Sequence, residues 1–429
     1  MVNVCLYFHV HQPHRMGRYR VFDIGHSSQY FDDEKNKEII QKVAQKCYIP
    51  TNTLLLALIN KYKNTNRPFK ISYSITGTVL EQLEKYVPEV IESFKALAAT
   101  GCVEFVAETY YHSLAFLYSL QEFREQITLH TQKIKSLFNQ EPKIFRNTEL
   151  IYNNALGKFL EGLGYEAVLT EGADHIMSWR NPNYVHTVKD GHMRLLLKNY
   201  KLSDDIAFRF GDKGWKEYPL SPEKYARWIH ESDGHSVNLF IDYETFGEHQ
   251  WEDTGIFTFL EKLPDALYAH PGTHFVTVSE LVAYPAIGEL DIPEFISWAD
   301  LERDLSAWRG NSMQNSALKE LYAIEDEIKQ SHNQSLIDDW RKLTTSDHFY
   351  YMCTKYFNDG DVHKYFNPYD TPYESYINFM NILNDIVHRL NRINRERKIS
   401  HDMRSDYATA SLPSTTVNTS TPATTLHIR

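Results

Sequence analysis

The chain has 429 residues, of which 42% are hydrophobic and 24% charged, so it can bury a core, and a fully disordered protein is excluded. The formal charge of -11 at pH 7 would repel a phosphate backbone, which excludes nucleic acid as a partner. No apolar run approaches the roughly 18 residues of a membrane-spanning helix, and the widely spaced cysteines predict reduced thiols and a cytoplasmic protein: Cys5, Cys47, Cys102 and Cys353.

Residues 1–290 alternate short apolar runs with helical stretches, which predicts parallel β-strands joined by helices. Such units form either a doubly wound sheet or a closed barrel, and seven candidate strands favour a (β/α)7-type barrel. Its functional groups are expected at the carboxyl ends of the strands. The candidate strands are VNVCLYFHV, FKISYSI, VEFVAE, KIFRN, AVLTEG, VNLFIDYETFG and HFVTVSEL.

The remaining chain divides into a helical part and a tail. Apolar residues recur at helical spacing after Pro372, which predicts a helix with one buried face: Tyr376, Met380, Leu383, Val387 and Leu390. We expect residues 291–404 to form a helical domain that completes the active-site cleft of the barrel. Residues 405–429 are rich in Ser, Thr and Pro, which indicates a flexible tail.

Two histidines lie at the end of the first predicted strand. His9 and His11 alternate, so they share one face of the strand, which Gln12 and Pro13 then terminate. Three interpretations stay open: structural histidines at a barrel rim, zinc ligands together with a distant aspartate, and hydrogen-bonding groups for a polar substrate.

Two carboxylates follow predicted strands. Glu149 comes just after KIF, and Asp242 ends the apolar run NLFID. A carboxylate at the end of a buried strand bears a desolvation cost, so it needs a hydrogen-bonding partner or a function, although a helix cap or an ion pair with Arg146 would also explain it. The loop after Asp242 gathers further acids, an imidazole and an aromatic face of the size of a sugar ring: Glu244, Glu248, His249 and Trp251.

A pair of carboxylates among neutral polar and aromatic groups suits hydrolysis of an uncharged polyhydroxy substrate. An ionised carboxylate would attack the anomeric carbon, and a protonated one would give its proton to the leaving oxygen. The sequence has no Gly-rich loop that would cradle a phosphate, so a sugar is favoured over a nucleotide.

Several motifs together resemble glycoside hydrolase family 57, and in particular its α-amylase-like members. They occur in the family's order and at similar spacing, and they extend over most of the chain before the tail: HVHQP at 9–13, GTVLEQL at 77–83, FRNTEL at 145–150, IDYETFGEHQW at 241–251, SWADLERDLSAWRGNSMQ at 297–314, SDHFYYM at 346–352 and HKYFNPYDTPYESYINFM at 363–380.

The resemblance implies a seven-stranded barrel with a helical domain, a retaining double-displacement mechanism and an α-1,4-linked glucan or maltooligosaccharide as substrate. Glu149 matches the family's nucleophile and Asp242 its acid/base. It also implies a group of substrate-binding residues around them, with Glu81 supporting the two strand-end histidines: His9, His11, Glu81 and His112. No cofactor is implied, and the oligomeric state is left open.

The fifth family motif pairs an acid with a tryptophan near the active site. By this resemblance Trp308 is the tryptophan, and Asp304, or alternatively Asp300, is the acid. An indole face stacks well on a sugar ring, so Trp308 and Trp251 are both expected to bind substrate.

Three other functions are compatible with the same residues. A 4-α-glucanotransferase would use the same two acids but pass the glycosyl group to a sugar hydroxyl instead of water. A metal-dependent deacetylase or mannosidase on a related barrel would use His9, His11, Asp242 and His112 as ligands. A non-catalytic glucan-binding protein would keep the groove without turnover.

Overall fold

The computed structural model describes residues 2–355 and 367–410, which form an α/β barrel followed by packed helices. The strands are β1 Asn3–Val10, β2 Ile71–Ile75, β3 Val103–Phe105, β4 Ile144–Arg146, β5 Ala167–Glu171, β6 His186–Val188, β7 Arg194–Lys198, β8 Ser236–Asp242 and β9 Glu289–Leu290.

Seven of these strands are parallel and close into the predicted (β/α)7-type barrel. One sheet has the order β3-β2-β1-β8, and β4-β5-β7 form the other half. The halves are joined beyond β3 by hydrogen bonds from Ala107 N to Ile144 O (2.9 Å) and from Arg146 N to Ala107 O (2.8 Å). Between β7 and β8, Asn199 N donates to Asn238 O at 2.9 Å. The predicted fold class is therefore confirmed.

One predicted strand is wrong, and one barrel strand was not predicted. In HFVTVSEL, Phe275 makes a single bridge to Val4, and Val278–Leu281 is helical because Thr277 and Glu280 form a capping box. The seventh barrel strand is β7, with the sequence RLLLK. The short strands β6 and β9 lie outside the barrel, since β6 pairs antiparallel with β7 and β9 pairs with β6.

The helices lie around the barrel and beyond it. They are α1 Asp33–Val43, α2 Ile49–Tyr62, α3 Gly77–Tyr86, α4 Pro88–Ala98, α5 Leu120–Phe138, α6 Asn154–Gly162, α7 Asp174–Met177, α8 Tyr200–Ala207, α9 Pro222–His230, α10 Ile256–Tyr268, α11 Val278–Leu281, α12 Ser306–Arg309, α13 Ser312–Ala323, α14 Glu325–Gln330, α15 Gln334–Leu343, α16 Ser346–Tyr350 and α17 Pro372–Ala410. Across residues 2–355 and 367–410, every helix falls short of the length or the apolar character needed to cross a bilayer.

Strand alternation aims the site residues into the barrel. Cys5 and Tyr7 of β1 and Phe240 of β8 belong to one apolar cluster that joins strands from around the ring, whereas Leu6 and Phe8 pack with the outer helices. Because the side-chain period of a strand is two, the next inward positions are His9 and Asp242 at the carboxyl ends of these strands. The two residues are direct neighbours in the register.

Helices α12 to α17 contribute most of a second apolar core, which also includes residues of the barrel part such as Tyr30 and Ile151. The helix expected after Pro372 is confirmed, and its buried face includes Phe379, Leu383 and Leu390. The predicted residues Tyr376, Met380 and Val387 are only half-buried. α17 runs past the expected boundary at 404 and ends at Ala410. Residues 411–429 of the expected tail and residues 356–366, which include the first four residues of the last motif, lie outside the described residues.

Candidate active site

A cavity at the carboxyl ends of the barrel strands brings together residues from both parts of the chain. Ten of the thirteen lining residues, including the two predicted catalytic acids and four histidines, belong to the barrel part, and Trp298, Asp347 and Tyr351 come from the chain that follows it. The lining residues are His9, His11, Gln12, Pro13, Arg15, His112, Glu149, Asp242, Glu244, His249, Trp298, Asp347 and Tyr351.

Glu149 lies just after β4 in a backbone conformation that side chains rarely adopt. Its φ is 56°, and that of the next residue, Leu150, is 52°. Left-handed backbone costs about 1–2 kcal/mol for a residue other than glycine, and it persists only where surrounding contacts hold it. Those contacts are specific here: His112 Nε2 donates to Glu149 Oε1 (3.0 Å), and Trp298 Nε1 donates to Oε2 (2.6 Å).

Asp242 reaches the same cavity from the opposite half of the barrel. It is the last residue of β8, and its side chain forms no cap hydrogen bond with the short helix Tyr243–Thr245. Arg146, the alternative partner considered above, lies 3.8 Å from Glu108. The structure therefore places both predicted acids on one cavity.

Three of the four histidines in the lining, His9, His11 and His112, pack their rings together in one cluster. The His112 ring centroid is 4.9 Å from that of His9 and 4.1 Å from that of His11. Burial lowers the pKa of both His9 and His11. The positive charge of Arg146 lowers the pKa of His9 further, and that of His112 lowers the pKa of His11 further. Both rings are therefore neutral at pH 7. The buried Nε2 of His9 has no hydrogen-bond partner among the described residues, which leaves it available to a bound ligand.

His112 differs from its neighbours because two carboxylates flank it. Its Nε2 binds Glu149, and its Nδ1 lies 3.6 Å from Glu108 Oε2. Burial acts to lower the pKa of His112, but these contacts with Glu108 and Glu149 raise it to about 9. The ring is therefore an imidazolium at pH 7, and it places a positive charge against Glu149.

Glu244 is a second unusual carboxyl group in the cavity. Burial raises the pKa of Glu244 to about 8, and the negative charge of Asp242 also raises it. The hydrogen bond from the Tyr48 hydroxyl to Glu244 Oε1 lowers the pKa, but by less than burial raises it. Glu244 is thus neutral at pH 7 and able to donate a hydrogen bond.

The four predicted metal ligands do not come together as one group. Within the described part of the chain, two groups have donor atoms within 4.8 Å of one another: His9, Glu108 and His112, and His11, His112 and Asp347. Asp242 belongs to neither. Arg146 Nη1 lies 3.5 Å from His112 Nδ1, so a fixed positive charge already occupies the surroundings of the first group.

Four predicted substrate-binding residues lie outside the cavity lining. Glu81 does not support the strand-end histidines: it accepts hydrogen bonds from His14 (3.1 Å) and Tyr110 (3.0 Å). Trp308 is fully buried in the core of the helical part, and Asp304 is exposed and accepts a hydrogen bond from Ser306 N. Trp251 lines a separate surface groove. The alternative acid, Asp300, is also absent from the lining.

Sequence reasoning missed other residues that line the cavity. Trp298, in the same segment as Trp308, is the tryptophan that binds Glu149, and Arg146 lies 5.0 Å from its ring centroid. Asp347, from the quoted segment SDHFYYM, accepts a hydrogen bond from His11 Nε2 at 2.9 Å. The motifs marked both segments, but nothing in their local pattern indicated which side chains face the barrel.

Comparisons with known proteins agree with this geometry. Residues 5–294 match the family described as Glycosyl hydrolase family 57. A Methanocaldococcus jannaschii protein described as "Putative alpha-amylase" is 44% identical over 400 residues, which are 90% of this chain and 84% of that protein. A branching enzyme of the family from Thermococcus kodakaraensis has a TM-score of 0.59 at 16% identity, with 82% of this chain and 85% of that one covered. An α-amylase from Thermotoga maritima has a TM-score of 0.56 at 14% identity, with 92% and 95% covered. This chain therefore belongs to glycosyl hydrolase family 57 and is a glycoside hydrolase.

Proposed function

We propose that this enzyme hydrolyses α-1,4-linked glucans and maltooligosaccharides with retention of the anomeric configuration. Glu149 is the nucleophile and Asp242 the acid/base. The observation that carries the proposal is that these two carboxylates, from opposite halves of the barrel, line one cavity at the carboxyl ends of the strands.

The reaction proceeds in two displacements. In the first, Glu149 attacks the anomeric carbon and forms a glycosyl ester, while Asp242 gives its proton to the departing glycosidic oxygen. In the second, Asp242 removes a proton from water, which attacks the same carbon and releases Glu149. Two inversions at one carbon give net retention.

The contacts of Glu149 support its role as the nucleophile. Two donors, His112 and Trp298, hold one oxygen each, which fixes the carboxylate plane in the cavity. The positive charge of His112 stabilises the ionised form before attack.

The lining supports an uncharged sugar as the substrate. The neutral ring of His9, through its Nε2, and the neutral carboxyl of Glu244 can donate hydrogen bonds to hydroxyl groups or accept them. Trp298 adds an indole face of the kind that packs on sugar rings. The name of the relative from M. jannaschii supports an α-glucan.

The test is product analysis with maltooligosaccharides, separated by size and read for anomeric form by NMR. Shorter products of retained configuration are expected. Glu149→Gln should lower kcat by roughly 10³-fold or more while glucan still binds. The matched control is Glu92→Gln, since Glu92 is an exposed glutamate on α4, and it should act like the wild type. Inverted products would contradict the proposal, and products longer than the substrate would show glucanotransfer instead.

A cytoplasmic location is part of the proposal. All four cysteines are unpaired and buried, and burial raises the pKa of each thiol. Reduced thiols suit a reducing compartment. Cell fractionation followed by immunoblotting would test this, and recovery outside the cytoplasm would contradict it.

A further inference from the structure

A second concave surface lies beside the cavity, and the proposed chemistry does not use it. This surface groove has a volume of about 1110 Å³ and runs between α2 and α10, with Trp251 on the loop that precedes α10. Trp251 is 52% exposed, so a large apolar ring faces water at this point.

The groove walls combine apolar and hydrogen-bonding groups. Leu54 and Phe257 supply apolar surface, and the exposed carboxylates of Glu252, Asp253 and Glu261 supply acceptors. Lys46 Nζ lies 5.0 Å from the centroid of the Trp251 ring, so a cation holds the indole in place.

This composition selects against some ligand classes. The acids outnumber the single lysine of the lining, so a polyanion would be repelled. An indole face with carboxylates around it matches a sugar, which presents an apolar ring face and a rim of hydroxyl donors.

The groove and the cavity share one segment of chain. Between Asp242 and Trp251, the residues Glu244 and His249 line the cavity, whereas Gly247 and Trp251 line the groove. A polymer held in the groove is therefore tethered close to the catalytic acids, which raises its effective concentration there.

We propose that the Trp251 groove is a second α-glucan-binding site, separate from the catalytic cavity, that holds polymeric substrate by stacking on the indole. This inference rests on the proposed function, because that function supplies the ligand class. The site should matter for long glucans and contribute little to the cleavage of short oligosaccharides, which need only the cavity.

The experiment is affinity electrophoresis through gels that contain amylose, with all variants made in the Glu149→Gln background so that the amylose stays intact. Trp251→Ala should weaken retention at least ten-fold, and Trp251→Phe, which keeps an aromatic face, should weaken it less. The matched control is Trp179→Ala. Trp179 is 82% exposed and also has a cation over its ring, Arg180 at 5.3 Å, but it is not part of the groove.

A kinetic measurement on the active enzyme completes the test. For Trp251→Ala, KM for amylose should rise about ten-fold, and the ratio of its activity on amylose to that on maltotriose should fall. Equal retention of Trp251→Ala and the parent protein in the amylose gel would overturn the inference. If Trp251→Ala also changed the sedimentation coefficient of the protein while retention stayed the same, the groove would be a contact between protein molecules instead. If the enzyme with its native Glu149 cleaves no α-1,4-glucan, the proposed function fails instead.

Discussion

His112 gives the site a pH-dependent stability that can be measured. Its ordinary pKa is 6.5, and in the folded protein it is about 9, so between these values only the folded state holds the proton. The free energy of unfolding gained from the contacts with Glu108 and Glu149 is fully present below pH 6.5 and is lost as the pH rises to 9, by roughly 3 kcal/mol in total.

Urea unfolding at several pH values between 6 and 9.5 would check this. The difference in unfolding free energy between the wild type and His112→Gln should shrink over this range as the wild type loses the contribution. If this difference in unfolding free energy stayed constant, the His112 ring would be neutral over the whole pH range and would place no positive charge against Glu149.

Trp298 and Trp308 give a matched pair of substitutions. Trp298→Phe removes the indole donor to Glu149 but keeps an aromatic ring, and a hydrogen bond to a charged group is worth about 1.5–3 kcal/mol. We expect kcat to fall about 10- to 100-fold with little change in KM. Trp308→Phe should instead lower the melting temperature and leave kcat of the folded enzyme near the wild-type value.

Steady-state kinetics with a thermal melt on each variant would separate the two effects. If Trp308→Phe lowered kcat more than Trp298→Phe does, Trp308 would be the tryptophan of the fifth motif, as the resemblance implied. The resemblance indicated Trp308, and local pattern could not have distinguished it from Trp298, because both lie in the segment 297–314 and their environments depend on how that segment packs against the barrel. The positions of Glu149 and Asp242 were predictable because parallel strands end at the same rim.

At the scale of an element, the loop after β8 depends on a glycine. Gly247 has a φ of 105°, and a Cβ there would lie 1.9 Å from Lys46 O, so alanine meets both backbone strain and a clash with main chain. Gly164 has a φ of 89° with nothing within 4 Å of a Cβ, so alanine there meets the strain alone. We expect Gly164→Ala to cost about 1 kcal/mol and Gly247→Ala several times as much.

Chemical denaturation of both variants would test this difference. Gly247→Ala should also lower activity, because the same loop carries Glu244 and His249 into the cavity. Equal stability of the two variants would mean that the loop moves away from Lys46 without cost.

The strands show which elements a sequence pattern can identify. A long run such as VNVCLYFHV is buried on both faces and is unambiguous. RLLLK follows the turn dipeptide Asp190-Gly191, but periodicity alone cannot distinguish an apolar run of this length from a segment of a buried helix. HFVTVSEL has the composition of a strand, but the Thr277–Glu280 capping box begins a helix within it.

At the scale of the whole molecule, the candidate active site lies where the barrel and the helical part meet. Helix α16 contributes Ser346, whose hydroxyl donates to Glu149 Oε1 at 3.4 Å, and Asp347, which binds His11. The sequence predicted a helical domain that completes the cleft, but not these residues, because their partners are more than 190 positions away in the chain. Contacts at such separation follow from tertiary packing and not from local pattern.

Asp347→Ala tests this junction. His11 Nδ1 is held by Thr76 at 2.9 Å and Nε2 by Asp347 at 2.9 Å, so removal of the carboxylate frees the ring to turn about its side chain. If the fixed orientation of the His11 ring shapes the substrate site, kcat/KM should fall about 10- to 100-fold, while the free energy of unfolding falls by only about 1–3 kcal/mol.

The control is Asp338→Ala on neighbouring α15. Among the hydrogen bonds described, Asp338 bonds only to the exposed Gln334, so this variant should leave both quantities unchanged. Kinetics on maltooligosaccharides with urea unfolding would decide. An unchanged kcat/KM for Asp347→Ala would mean that the helical part covers the cleft without setting its chemistry, since the barrel would then orient His11 through Thr76 alone.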